Sequence, residues 1–488
     1  MTESEPMEQT APKSATPTIV VACLAVTMLM LDISVVNTAL SDIASSLDTS
    51  LSGLQWVIDA YTLPLAAIVL TAGALADRHG RRRLFIGGMT LFVLASAACA
   101  SAGSIEALVV SRAVQGFGAA FMFATALALI AQVSPTPELR NKALAAFGAS
   151  IGIAFAIGPF VGGGLTELLG WRAIFWINAP VGLACLYIAW SRVAEGRDEH
   201  ARAVDWPGQV ALIGGMFLLI FGLLRGNEEG WGSAEIVASL AGAAVLLTIF
   251  LVIQARSKTP MLPLHLLKRR RFAAPQIAVT GISASFFALF LYMTLYMQGV
   301  LGLSPIETGL AYLPSTGLMF IVAGLAAQLM GRISPATLTV VGLLLIALAL
   351  ALIPFLAEVD SKWTALLAPT LIAGLGTGLF NPAASELALQ ALPENQSGLA
   401  SGANDLFRQT GVAVGIAVLG TLVPASGALG GDPVAYVDGF HNAAIVASAI
   451  AFVGAVGAGL LLRGGSGATE PEPVDPVAAE PKPEPVTA

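Results

Sequence analysis

The chain predicts a polytopic all-α membrane protein, and three observations lead to that fold class. Of its 488 residues, 56% are hydrophobic and 11% are charged, against about 25% charged in an ordinary soluble protein. Mean hydropathy is +0.80. The apolar residues run in long blocks between short polar loops, without the two-residue alternation of a membrane barrel. Backbone groups in lipid must pair within the chain, which leaves helices. So few polar residues cannot cover a water-facing surface of this length. The composition therefore argues against a soluble enzyme, a nucleic-acid binder, a coiled coil and a disordered scaffold.

Residues 1–17 are polar, acidic and rich in Pro and Thr, and read as a disordered cytoplasmic tail. They lack the positive flank of a cleaved signal, so the first apolar run is retained. A span takes roughly 20 apolar residues. Fourteen follow, near 18–40, 54–76, 84–102, 107–131, 142–166, 172–191, 206–224, 234–255, 272–298, 308–330, 335–356, 363–388, 399–422 and 441–463. Residues 464–488, rich in Pro, Glu, Ala and Val, read as a second disordered tail. With the N-terminus in the cytoplasm, 19 of the 24 Lys and Arg fall inside. Three (Arg172, Arg225, Lys362) fall outside, and Arg112 and Arg408 lie within spans. That bias predicts an even number of spans and two cytoplasmic termini.

The chain also repeats itself. Gly73-Ala-Leu-Ala76-Asp-Arg-His-Gly80-Arg81 resembles Gly324-Leu-Ala-Ala327-Gln-Leu-Met-Gly331-Arg332, at an offset of 251. Gly116-Phe-Gly118 matches Gly374-Leu-Gly376, and Pro135 matches Pro393, at an offset of 258. Two ordered matches at nearly constant offset indicate a parallel duplication. Residues 18–191 and 272–463 would be six-helix halves, and 192–271 a two-helix insert with flanking loops. Parallel half-repeats are a transporter plan with the binding site between the halves.

Several motifs carry more than topology. In Gly73-Ala-Leu-Ala-Asp77-Arg78-His-Gly80-Arg81-Arg82-Arg83, the glycines would permit close helix approach and a tight turn, and Asp77 would pair with an arginine. This segment resembles the signature loop of the major facilitator superfamily, and further matches follow in order. Leu31-Asp32-Ile-Ser-Val35-Val36-Asn37-Thr-Ala39-Leu40 is similar to the first-span motif of its drug:proton antiporters. Ser-Arg112-Ala-Val-Gln115-Gly116 resembles their Arg-x-x-Gln-Gly motif. Gly148-x-x-x-Gly152, leading to Gly158-Pro159-x-x-Gly162-Gly163, resembles the antiporter signature. With fourteen spans, the chain resembles the fourteen-span drug:proton antiporters, which include quaternary-ammonium and multidrug exporters. The resemblance covers residues 18 to 463. Two departures stand out: Ser41 where Pro often follows Ala-Leu, and Gln328 where the second-half loop lacks the acid of Asp77.

Read from the residues alone, Asp32 lies more than ten residues inside an apolar run, where an acid costs about 2.5–3.5 kcal/mol. It should face the bundle interior and exchange a proton; the alternative is a structural acid capped by Ser34 or Asn37. Arg112 is a fixed cation inside the fourth span and needs a partner, Gln115 or an acid of the first span. In the family the matching arginine is tied to proton coupling. Asp59 lies between Trp56 and Tyr61, an arrangement that would hold a lipophilic cation by charge and cation–π contact; a solvated rim acid is the alternative. Asn37 and Gln115 complete the substrate-binding candidates. The glycines and Pro159 of the fifth span predict close packing with a bend against the other half. Asp405 and Arg408, three apart, would pair on one helix face. Glu386 reads as an interfacial residue, with an accessory acid as the alternative, and Glu167 as a rim residue.

Cys23, Cys99 and Cys185 lie in apolar runs and read as packing residues, and the four histidines form no ligand pair, so no metal site is expected. There is no Walker loop, and no Ser/His/Asp triad marks an enzyme. The expectation is a proton-driven exporter of a lipophilic, cationic small molecule, with no cofactor, acting as a monomer in a bilayer. A dedicated exporter of one metabolite, antibiotic or lipid shares the same motifs. The Ala/Gly/Arg-rich composition points to a bacterial inner membrane.

Overall fold

The computed structural model describes residues 15–134, 136–197, 204–257, 260–392, 397–424 and 431–463. The tails at 1–14 and 464–488, the repeat residues Pro135 and Pro393, and the loop cations Arg202 and Lys258 lie outside the described residues. Among the described residues every regular element is a helix and none is a strand. The long helices are α1 (Ala15–Thr38), α2 (Leu51–His79), α3 (Arg81–Ala100), α4 (Ile105–Val133), α5 (Pro137–Leu169), α6 (Ala173–Arg192), α7 (Trp206–Glu229), α8 (Ala234–Arg256), α9 (Arg270–Val300), α10 (Pro305–Leu329), α11 (Pro335–Leu356), α12 (Trp363–Gln390), α13 (Ser397–Gly420) and α14 (Pro433–Arg463). Thirteen of the described helices have the length and hydropathy to cross a bilayer. The remaining one, α13, carries Asn404, Asp405, Arg408 and Gln409, which dilute its apolar character. A short helix, Leu40–Leu47, fills the α1–α2 connection.

Local chemistry sets the helix starts. Ser104, Thr136, Asp205 and Ser334 each accept a hydrogen bond from the backbone N–H three residues on, satisfying donors that a first turn leaves free. Ser304 and Glu307 form a reciprocal capping box at the start of α10,. Large apolar side chains such as Leu94, Val110, Tyr187, Phe355 and Leu460 point outward with most of their surface exposed. In a bilayer that surface meets acyl chains rather than water.

The first six helices pack mainly on one another, with α3 and α2 on α4 and α1 on α5. Likewise α11 and α10 pack on α12, and α14 on α11 and α9. Helices α7 and α8 pair with each other, and α7 also touches α2 and α13. Gln209 of α7 anchors this pair, donating to the Ala67 carbonyl of α2 at 2.9 Å and accepting from Thr71. The two six-helix groups meet along α5–α10 and α2–α13. Helix α9 contains two π turns, Ser283–Phe287 and Tyr296–Val300, a local widening that often accompanies functional helices.

Candidate functional site

Asp32 and Arg112, on different helices and each about 1% exposed, face each other inside the first group of helices. Arg112 donates through Nη1 to Asp32 Oδ2 and, at 2.9 Å, to Gln115 Oε1. Its Nε donates to the Val57 carbonyl of α2 at 3.1 Å. Two amides donate to Asp32 Oδ1: Gln115 Nε2 at 2.9 Å and Asn178 Nδ2 at 2.8 Å. The Tyr61 ring lies 4.2 Å from the guanidinium carbon and the Phe175 ring 5.7 Å. A buried ion pair recovers its desolvation cost only when the remaining donors and acceptors are also satisfied, and this one is wrapped by three amide or carbonyl partners and two aromatic faces.

Close backbone contact brings the pair together. A Cβ on Gly116 would stand 2.3 Å from the Tyr61 carbonyl oxygen, and one on Gly118 would stand 2.7 Å from Phe92 N. Only without side chains there can α4 lie against α2 and α3 so closely, which carries Arg112 to Val57 and Tyr61.

Of the residues singled out in the sequence, the structure unites Asp32, Arg112 and Gln115. It separates the Trp56–Asp59–Tyr61 group. Helical side chains turn roughly 100° per residue, so these three leave α2 in different directions. Trp56 packs on Phe217 of α7, with ring centroids 5.6 Å apart, and Tyr61 covers Arg112. Asp59 is fully buried rather than a solvated rim residue. Neither of its carboxylate oxygens has a hydrogen-bond partner among the described residues. One turn away, Gln55 donates to the Tyr292 hydroxyl of α9 at 2.6 Å. Asn37 turns back on its own helix, donating to the Ile33 carbonyl at 3.0 Å, and takes no part in holding Asp32. Asp405 and Arg408 form no ion pair within 4.0 Å, and Asp405 Oδ2 lacks a hydrogen-bond partner among the described residues.

The arginine-rich loop is cinched. Arg81 binds Asp77 through Nε at 2.9 Å and Nη2 at 2.8 Å, and its backbone N–H donates to the Gly196 carbonyl at 2.9 Å. Gly80 has φ +110, and a Cβ there would lie 2.7 Å from Glu195 Oε1. Glu195 also accepts from Arg82 N at 3.0 Å. Arg78 is exposed. Gly73 has open space around it rather than a close helix neighbour. The α5 glycines divide in the same way. A Cβ on Gly158 would stand 2.3 Å from Ser34 Oγ, one on Gly162 2.7 Å from Val35 Cα, and one on Gly163 2.2 Å from the Pro305 carbonyl oxygen of α10. Gly309 of α10 approaches the Pro159 carbonyl equally closely. Gly148 has no neighbour within 4 Å, and Gly152 only the Phe320 ring at 3.6 Å.

The sequence does not single out Asn178 or Ser96, and it marks Cys99 only as a packing residue. Asn178 donates to Ser96 Oγ at 3.0 Å as well as to Asp32, and Cys99 Sγ donates to Gln115 Oε1 at 3.6 Å. The available signal was a lone amide inside the apolar run of α6.

A bundle of membrane-length helices with a charged pair buried in one half fits a membrane transporter. The chain belongs to the Major Facilitator Superfamily, whose sequence profile matches residues 22–416. It is similar to the multidrug resistance protein Stp of Mycobacterium tuberculosis, 34% identical over 84% of this chain and 76% of that protein. It is likewise similar to the tetracenomycin C resistance and export protein of Streptomyces glaucescens, 34% identical over 83% of this chain and 76% of the relative. The puromycin resistance protein pur8 of Streptomyces alboniger is 35% identical over 89% of this chain and 88% of its own. Among solved structures, the human organic anion transporter MFSD10 superposes with a TM-score of 0.62 at 14% identity, covering 92% of this chain and all of that one. At that identity the likeness concerns the fold.

Proposed function

We propose that this protein is a proton-coupled exporter of lipophilic, cationic drug-like compounds. The observation that carries the reading is the buried Asp32–Arg112 pair with its amide donors. The Asp32 carboxyl is paired with a permanent cation at bilayer depth. Protonation neutralises it and releases the guanidinium to other partners. Asp32 thus alternates between a proton and Arg112, and inward proton flow drives the exchange. Asp59, buried near the α2–α9 contact, is the proposed acceptor for the substrate's positive charge. The multidrug and antibiotic resistance relatives support the export direction.

Both termini and the Arg81–Arg83 loop are placed in the cytoplasm of a bacterium. Hydrogen bonds between the six-helix groups gather toward the opposite end: Gln298 to the Thr38 carbonyl at 2.9 Å, and Ser304 Oγ and Ile306 N to Glu167 Oε2 at 2.6 and 3.1 Å. These contacts hold that end together.

The test is ethidium transport in proteoliposomes under an imposed pH gradient. Wild type is expected to drive gradient-dependent flux and Asp32→Asn to lose it while remaining folded; retained gradient-driven flux in the variant would defeat the coupling role. The tetracenomycin C and cephamycin export relatives favour a second reading, a dedicated exporter of one compound. A panel of chemically unrelated substrates separates the two, since a dedicated exporter moves one of them and a multidrug pump several.

A further inference from the structure

Asp32 is held from a direction that the arginine does not explain. Its Oδ2 faces Arg112, while its Oδ1 receives the amides of Gln115 and Asn178. Asn178 is itself held in place. Its amide nitrogen donates to Ser96 Oγ at 3.0 Å, and the Ser96 hydroxyl donates to the Phe175 carbonyl at 2.8 Å, three residues before Asn178 on α6. Ser96 and Asn178 are each about 1% exposed. Ile177, between the segments Ala173–Trp176 and Asn178–Arg192, keeps right-handed helical angles, and the Phe175 carbonyl engaged by Ser96 lies two residues before it. The result is a chain of neutral groups, from the Phe175 carbonyl through the Ser96 hydroxyl and the Asn178 amide to one oxygen of the carboxylate.

Neutral donors and the guanidinium act differently. Arg112 keeps its charge at every accessible pH, so it biases Asp32 by a fixed amount. An amide hydrogen bond to the carboxylate favours the ionised form in proportion to its geometry, and Ser96 holds the Asn178 amide in that geometry. Other titratable or charged groups around Asp32 are Arg112 from α4, Tyr61 from α2 and Cys99 from α3, reached through Gln115. Helix α5 meets α1 here through Gly158 and Ser34, without a charged side chain. Arg172, at the start of α6, turns to the Ala102 carbonyl and the Trp171 ring.

We propose that Asn178, oriented by Ser96, is a positioning residue that sets the pH at which Asp32 exchanges its proton, so that α6 takes part in coupling without itself titrating. This rests on the proposed role of Asp32. Loss of one donor to a charged acceptor changes proton affinity by about tenfold, or about one pH unit. The sign is fixed, because removing a donor disfavours the carboxylate and moves the midpoint toward alkaline pH.

Two readouts test it. The first is the pH midpoint of ethidium exchange in proteoliposomes at constant pH difference. The second is the protonated-carboxyl infrared band of purified protein, with the Asp32 band identified by its loss in Asp32→Asn. In Asn178→Ala both midpoints should move up by about one unit, and in Ser96→Ala in the same direction by less. An infrared midpoint unmoved in both variants, with only a lower transport rate, overturns the proposal and leaves Asn178 a packing residue. Ser96→Ala keeps the test open if Asn178→Ala does not fold. Retained gradient-driven exchange in Asp32→Asn would count against the coupling reading, whereas the infrared titration judges Asn178 by itself.

Discussion

Arg112 makes its contacts with four helices: Asp32 of α1, Val57 and Tyr61 of α2, Gln115 of its own α4 and the Phe175 ring of α6. Truncating it leaves a buried carboxylate without its counter-ion, which costs about 3–5 kcal/mol. Arg112→Ala is therefore expected to lower the thermal unfolding midpoint in detergent, and adding Asp32→Asn should recover much of the loss, because a neutral amide needs no cation. If the double variant is no more stable than the single, the stabilisation comes from packing rather than charge. Gly116 acts at the same scale. Gly116→Ala would push its new methyl into the Tyr61 carbonyl at 2.3 Å, an overpacking strain of about 1–3 kcal/mol. The expected result is a folded but less stable protein with reduced exchange.

At the scale of the element, two joints are exposed to test. The α2–α3 loop depends on Gly80, whose φ of +110 and contact with Glu195 exclude a side chain. Gly80→Ala should cost about 1–3 kcal/mol in backbone strain and loosen the loop. Hydrogen exchange at residues 77–83 is the measurement, and unchanged protection would show that the loop holds without this conformation. At the other end, Glu167 joins α5 to the first turn of α10 by two hydrogen bonds. The sequence predicts only a rim residue here, since nothing in the apolar pattern of α5 marks where the α10 start will lie. Burial first, and then the Glu167 charge, raise the carboxyl of nearby Asp42 above its usual value. Glu167→Ala should increase the reactivity of a cysteine placed at Ile306 toward a water-soluble maleimide severalfold; equal reactivity would mean that the close Gly163–Pro305 contact alone keeps that end shut.

Among the described residues, two six-helix groups meet along α5–α10 and α2–α13, with the α7–α8 pair against α2 and α13. Rigid groups joined along two seams move by rocking, so the gaps at the two ends change in opposite senses. Spin labels at Arg78 and Arg332, and a second pair at Asp48 and Glu358, report the two ends. Added ethidium is expected to shorten one distance distribution and lengthen the other. A change at one end only, or in the same sense at both, would argue for gating by local helix movement instead.

Composition and the lengths of the apolar runs were enough to determine that the chain spans a membrane as helices, because lipid leaves the backbone no other way to satisfy its hydrogen bonds. Asp32, Arg112 and Gln115 were legible for the same reason: an ionisable or amide side chain at bilayer depth is too costly to be incidental. What surrounds them was decided only by tertiary structure. Asn178 lies 146 residues from Asp32 and Ser96 lies 82 from Asn178, and no local pattern encodes a meeting of α1, α3 and α6. The grouping of Trp56, Asp59 and Tyr61 failed from the opposite cause. Neighbours in sequence leave a helix in different directions, so one met α7, one was buried near the α9 contact and one covered Arg112. Burial cost is a property of a residue and its run, whereas the identity of its partners is a property of how helices pack.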